Sequence, residues 1–376
     1  MKLKIATFAV LILVNIVALG LTVWVSWEGE DFFKEVASEF ELETGVKVDL
    51  LYVPKMADKL QLSLRTGNLP DLCLIKDTHT GNVAASGRAI PLGREFFEKL
   101  GQFSDDSLEA FALNEKFYAV PYYADLQVAF LNRSLVSNDL LKNLEEGHGI
   151  SELSFLFSVH SSNEVIPAAW DFMSPYIFFS FLSGYGDVSD SRGMPAFSSD
   201  TYRNAVEDIH DLFISEQVVR LERQAMISYF MDNKLAYMIQ GTYLAPQFRD
   251  SGIDFQMLPL PRVGDKNIPA VMDSKGFALF NEDSLEEASA FLSLLYESSM
   301  EFAVTNYKVP LWTKSLPEEL HDFELIMKNT VRMPNDMRFQ QIYSEAMRTV
   351  LQVVFAGSMS IEDALHSAQA YAEYNW

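Results

Sequence analysis

Residues 21–75 alternate between two hydrophobic periods, and that alternation limits the fold more than any other feature. "LTVWVSW" (21–27) is a short apolar run of good strand formers. In "EGEDFFKEVASEFELETGVKV", Phe33, Val36, Ala37 and Phe40 recur at spacings of three and four. That spacing predicts an amphipathic helix, and Gly45 ends it. Val46, Val48, Leu50 and Tyr52 then follow a period of two, which predicts a strand. A second helix is expected over 57–66, with Leu60 and Leu64 one turn apart and Gly67 closing it. "NLPDLCLI" reads as a turn into a buried strand. Strands separated by helices of this length pair in parallel, with the helices covering the faces of the sheet. The fold class is therefore α/β.

The first strand decides how the preceding residues are read. Lys2 and Lys4 stand before the apolar run Ile5–Leu19, and Ala18 and Gly20 are small residues two apart, as before an export-signal cut. Residues 5–25, about 21 in all, are also long enough to span a bilayer as one helix. The strand pattern downstream needs residues 21–25, because the first helix otherwise has no partner. Residues 1–20 are accordingly read as a signal peptide, with an uncleaved anchor as the alternative. Either implies a periplasmic or other extracytoplasmic location, membrane-anchored if the segment is retained.

Later segments continue in the same style. "AVPYYADLQVAFLN", "NKLAYMIQGTYL" and "DFQMLPLPRVG" read as strands. "SSDTYRNAVEDIHDLFISEQ" is helical, with Ala205, Ile209, Leu212 and Phe213 on one face. "SLEEASAFLSLLYES" and "SIEDALHSAQAYAEY" are helices with Ser284 and Ser360 as N-cap candidates. A chain of 376 residues fits two domains, each with its own core. A net charge of −23 argues against a nucleic-acid partner. It is compatible with a cationic ligand or with plain solubility. The single cysteine, Cys73, excludes an internal disulfide and a cysteine zinc site, and "DLCLI" reads as buried strand. The six histidines lack ligand spacing, and no P-loop, G-x-G-x-x-G, H-E-x-x-H or G-x-S-x-G motif is present. No catalytic residue, metal or cofactor is expected, and the chain is not read as an enzyme. A pair of carboxylates brought together only by the fold would escape this reading.

The order of the pieces resembles a known family. "EDFFKEVASEFELETGVKVDLLYV", "DKLQLSLRTGNLPDLCLI" and "AASGRAIPL" are similar to the N-terminal part of extracellular solute-binding proteins of the maltose-binding type, which serve ABC importers. "FYAVPYYADLQVAFLNRSLV", "FMDNKLAYMIQGTYLAPQF", "FQMLPLP" and "FAGSMSIEDALHSAQ" resemble later passages of that family, in the same order. The resemblance implies a two-lobe periplasmic-binding-protein fold with parallel-rich sheets and a hinge. Lobe one would be 21–124 plus 273–317, and lobe two 125–272 plus 318–376. It also implies a monomer that captures a carbohydrate, an oligosaccharide by this likeness, between the lobes and delivers it to ABC transporter membrane subunits. Residues 140–165 are shorter than the family pattern, Tyr243 stands where the family has an indole, and Asn233 replaces a glycine.

A sugar site needs aromatic faces for the rings and carboxylates or amides for the hydroxyls. The resemblance places candidate ligand residues in six regions. Trp27 and Glu28 follow the first strand, although Trp27 is equally readable as core. Asp77 and Thr78 follow the third strand, beside Lys76 and His79, and are also readable as N-caps. Asp125 interrupts the apolar run from Val120 to Leu131 at the lobe crossing, so it needs a partner or water. Tyr243 holds the stacking position, and Trp170 and Tyr176 are further aromatics of lobe two. Trp312 lies on the return segment of lobe one. Two other readings keep the fold: a site for a cationic or other small solute, and a surface-anchored receptor without transport.

Overall fold

The computed structural model describes residues 20–137, 148–150, 165–215, 218–313 and 315–376, together with Leu144 and Leu153. The expected signal segment and most of the shortened 140–165 stretch lie outside the described residues. The expected alternation is present. Strands Leu21–Val25, Val48–Tyr52 and Leu72–Lys76 are separated by helices Glu30–Thr44 and Met56–Thr66. The first strand pairs in parallel with both of the others. Phe33, Val36, Ala37 and Phe40 are all buried, and Gly45 takes the left-handed φ of 74° that ends the helix. Cys73 is buried within its strand. "LTVWV" is apolar because neighbouring strands flank it and both faces of the sheet are covered.

Two long strands carry the chain from one half of the molecule to the other. Val120–Asn132 is a single strand of 13 residues, every one of them buried. Its first half pairs antiparallel with Ala270–Leu279, which also runs beside the third strand. Past Leu126 its partners change to Leu235–Gly241 and Phe255–Leu258. Ile166–Trp170 extends this second half in parallel. The result is two α/β lobes on one continuous sheet path. Helices Pro175–Ser183, Asp200–Ile214, Met337–Phe355 and Ile361–Asn375 pack together on the second lobe.

The two N-cap candidates part company. Ser360 caps its helix, its Oγ accepting from the Asp363 amide at 3.1 Å. Ser284 sits at the helix start but makes no cap bond. It donates instead to Asp71 Oδ1 at 2.7 Å. Asp71 also accepts from the Thr22 amide at 2.7 Å, so its carboxylate ties the first strand to the Leu285–Asn306 helix.

Across the cleft the lobes touch through the segment leading into the Met337–Phe355 helix. The Gly81 amide donates to Asn335 O at 3.1 Å, and Asn335 Nδ2 donates to Ala112 O at 2.9 Å. Arg332 donates to both carboxylate oxygens of Asp106, with Nη1 to Oδ1 at 2.7 Å.

Candidate functional site

The strand register builds the floor of the cleft. Asp125 and Asp273 lie directly opposite each other on the two crossing strands. Like charges in that position repel, so the pair persists only if cations intervene. Lys275, two residues from Asp273 and thus on the same face, supplies one. Its Nζ reaches Asp125 Oδ2 at 2.6 Å and Asp273 Oδ2 at 3.2 Å. Lys308 enters from the segment after the Leu285–Asn306 helix, with Nζ at 2.6 Å from Asp125 Oδ1 and 3.1 Å from Glu28 Oε1. Thr242 Oγ1 donates to Asp125 Oδ1 at 3.0 Å. Burial alone would raise the Asp125 pKa, but Lys275 and Lys308 outweigh it and hold the carboxyl well below its usual range. Burial likewise works against charge on Lys275, and Asp125 and Asp273 raise its pKa regardless.

The network continues to the rim. Tyr123 OH donates to Glu28 Oε2 at 3.0 Å, and the Lys275 and Lys308 ammonium groups lie 5.5 and 5.6 Å from the centre of the tyrosine ring. Lys76 Nζ binds Asp273 Oδ2 at 2.8 Å and sits 5.7 Å from the centre of the Trp27 ring. Trp27 itself has a φ of 69°, a left-handed conformation held by Tyr52 OH donating to its carbonyl at 2.8 Å. Gly29 completes the loop at φ 77°, and a Cβ there would meet Phe302 at 2.3 Å, so only glycine fits. Asp77 is buried, accepting from the Thr78 amide at 2.7 Å and the Ser274 amide at 3.3 Å. Burial, and then the neighbouring Asp273, push its pKa up to about 7.

A cavity of about 190 Å³ opens beside this network, lined by Lys76, Asp77, Thr78, Tyr176, Asp273 and Gln340 among others. A larger groove of about 430 Å³ lies between the Met337–Phe355 and Ile361–Asn375 helices, but it is walled mainly by small apolar side chains. Converging polar groups mark the smaller cavity as the candidate site.

A family model described as bacterial extracellular solute-binding protein matches residues 35–303, well over half of the chain. The chain belongs to that family. This solute-binding protein is 24% identical to the galactooligosaccharide-binding protein of Bacillus subtilis, over 94% of its own length and 88% of the relative's. It is 22% identical to a maltooligosaccharide ABC transporter solute-binding lipoprotein of Streptococcus pneumoniae, over 93% and 86%. The Thermus thermophilus maltotriose binding protein, solved with maltotriose, superposes with a TM-score of 0.75 at 17% identity, covering 94% of this chain and 99% of that one. The GacH receptor of Streptomyces glaucescens, solved unliganded and with acarbose, superposes at 0.77 with 20% identity, covering 94% and 97%. These two solved structures share the fold of the solute-binding protein. Among the described residues, no helix is long and apolar enough to cross a membrane.

The structure of the solute-binding protein gathers seven of the nine sequence-derived candidates around the cleft. Trp27 and Glu28 form one rim, and Asp77 and Thr78 lie at the end of the third strand. Asp125 is the floor. Tyr176 and Tyr243 come from the other lobe, both close enough to Asp125 and Asp273 to feel their charge. The other two candidates are corrected. Trp170 is fully buried, stacked on Phe181 at 5.7 Å and packed on Phe172, inside the second lobe. Trp312 is buried against Tyr122 and Tyr296 inside the first. Both indoles serve cores, the ordinary fate of tryptophan. Sequence reasoning missed Asp273, Lys275 and Lys308. The first two carried a usable signal, since charges inside the apolar strand "AVMDSKGFAL" raise the question that Asp125 raised.

Proposed function

We propose that this protein captures a neutral oligosaccharide in the cleft between its lobes and hands it to the membrane subunits of an ABC importer. One observation supports the neutral ligand above others: three of the four cleft acids are already paired with lysines, and burial favours the neutral form of the fourth, Asp77. Lys308 and Lys275 hold Asp125, Lys308 also holds Glu28, and Lys76 and Lys275 hold Asp273. A cationic ligand would have to compete with buried lysines for every one of them. Fixed polar groups beside Trp27, Tyr176 and Tyr243 suit a molecule with hydroxyls on its edges and apolar ring faces. The oligosaccharide-binding relatives point the same way.

In this reading Trp27, Thr78, Tyr176 and Tyr243 touch the ligand, while Glu28, Asp77 and Asp125 organise the floor. The lobe limits near Asp125 and Asp273 are supported by the change of strand partners at that point. Residues 1–20 act as the export signal, and N-terminal sequencing of the mature protein tests for the cut. The protein binds without chemistry, so prolonged incubation leaves maltotriose intact.

The deciding experiment is thermal unfolding with maltotriose, galactotriose, spermidine and amino acids, each at millimolar concentration. A ligand that binds only the folded state raises the melting temperature. A rise with a sugar and none with spermidine is expected. The reverse result would replace the carbohydrate by a cation.

A further inference from the structure

We propose that Arg249 and Arg332 are two side joints, one at each edge of the strands that cross between the lobes, and that together they hold the lobes close enough for the cleft to grip a ligand. The joints act on the hinge, so they go beyond the carbohydrate reading, and their first readout needs no sugar.

Sheet topology puts the joints on opposite edges. Tyr123 and Ala124 of Val120–Asn132 pair with Ala270–Leu279 on one side and with Val309–Pro310 on the other. Val309–Pro310 is therefore one outer edge of the crossing pair. The amides of a strand alternate between its two edges, so Ala270 and Ser274 turn theirs the same way. Ser274 donates to Asp77 Oδ2 at 3.3 Å, on the side of the third strand, and Ala270 donates to Asn329 O at 2.9 Å. Thr330–Val331, which pairs with Ala270 and Val271, is thus the opposite outer edge. Tyr307 precedes the first of these edge strands by two residues, and Arg332 directly follows the second.

With the lobe limits proposed above, each arginine reaches from lobe two to lobe one. Arg332 forks onto the Asp106 carboxylate, with Nη1 at 2.7 Å from Oδ1. Its Nη2 also lies 3.6 Å from Met272 Sδ. Met272 and Met333 line the cavity together with Lys76 and Thr78. This joint therefore sets how far apart the walls of the cavity stand. On the other edge, Arg249 Nη1 donates to Thr305 O at 2.8 Å, and its guanidinium carbon is 5.5 Å from the centre of the Tyr307 ring. Thr305 offers one of the last carbonyls of the Leu285–Asn306 helix, which lack partners inside the helix and favour a cation. Phe255, also from lobe two, packs on the same tyrosine with ring centres 6.0 Å apart. Tyr307 ends the helix at a left-handed φ of 50° and delivers Lys308 to Asp125 and Glu28. One joint alone would let the lobes swing about it. Two on opposite edges confine the lobes to a bend of the crossing strands.

The test compares the full chain with Asp106→Asn, Arg249→Met and the double variant. Asp106 is exposed, so asparagine disturbs no core there. Circular dichroism melts confirm folding, and Arg249→Gln replaces Arg249→Met if the latter does not fold. Small-angle scattering without added sugar should give the double variant a larger radius of gyration than the wild type or either single variant. Calorimetric titration uses maltotriose or galactotriose, whichever binds the wild type. Each single variant is expected to lose about two- to fivefold in affinity, and the double about tenfold. A double variant with the wild-type radius would overturn the joints. So would tighter binding by any of the three, because the arginines would then hold the lobes apart. A wild type that binds neither sugar brings down the carbohydrate reading, while scattering still decides for or against the joints.

Discussion

At the scale of single residues, the cleft floor is a set of charges that are stable only together. Lys308 has no exposed side-chain surface and serves both Asp125 and Glu28. Replacing it with methionine leaves a buried carboxylate short of one partner, which typically costs about 3–5 kcal/mol. Because Asp125 keeps Lys275 and Thr242, Lys308→Met should fall at the lower end of that range in urea unfolding. A loss below about 1 kcal/mol would show that the pair adds little. Asp77 gives a pH signature of its own. Its carboxyl moves from an ordinary 3.8 to about 7, because burial and Asp273 favour the protonated form. The fold therefore binds this proton more tightly than the unfolded chain does. Stability from Asp77 is full below pH 4 and declines as pH rises through about 7. Asp125 and Asp273, held low by lysines, lose their stabilising effect only at more acid pH, so they leave this window clear. His79 works the other way in the same window: burial holds its pKa down at about 4, so its contribution grows as pH rises toward 6.5. Asp77→Asn should therefore raise the stability at pH 7 relative to that at pH 4, compared with the wild type, by up to about 4 kcal/mol in urea unfolding. An unchanged pH profile would mean that Asp77 titrates normally. These residues were unevenly legible. Asp125 announced itself as a charge in an apolar run, and Asp273 and Lys275 do so by the same rule. Lys308, in "NYKVP", looks like any surface lysine, because only the fold turns it inward.

At the scale of elements, periodicity identified the helices and strands of residues 21–75, because most elements there have a buried face and a clean stop. It said nothing about contacts between elements. Ser284 looked like a cap and became a long-range donor, and Trp170 and Trp312 looked like stacking platforms and became core. The lobe-to-lobe seam was equally invisible, since Gly81, Ala112 and Asn335 have no distinguishing chemistry. The seam nonetheless makes a sharp prediction. A Cβ on Gly81 would lie 2.7 Å from the Asn335 carbonyl oxygen, and that oxygen belongs to the backbone and cannot swing away. Gly81 is in the first turn of the short helix Thr80–Ala85, where alanine suits the helix better than glycine. The seam is present in the ligand-free structure, so Gly81→Ala should push Asn335 away and part the lobes at this point. Sugar affinity is expected to fall about tenfold, a cost of about 1.4 kcal/mol on the closed state. Small-angle scattering with saturating ligand should give a larger radius of gyration than the wild type. Equal affinity and equal radius would show that the seam yields without cost.

At the scale of the whole molecule, the charge of the chain and the charge of its site point in different directions. The protein carries −23 overall, yet its cleft sets Lys76, Lys275 and Lys308 against Glu28, Asp77, Asp125 and Asp273. With Asp77 tending toward its neutral form, the floor comes close to balance. Composition alone could not reveal this, because a sum over the chain does not say which charges are paired. The two-lobe organisation was hidden in the same way: the crossing strand 120–132 is buried along its whole length, so nothing in its pattern marks where one lobe ends. The ordered family resemblance implied that division. Balance in the cleft fixes how binding responds to salt. Ions at about 0.1 M screen charges beyond roughly 10 Å, so the acidic surface would attract a cationic ligand strongly in dilute buffer and weakly in salt. A neutral sugar meeting paired charges at short range feels little of this. Its dissociation constant should change less than about twofold between 0.05 and 0.5 M sodium chloride, measured by titration calorimetry at constant pH. A tenfold weakening across that range would show that the ligand reads the net charge, and the pairing of the cleft acids would no longer explain what binds there.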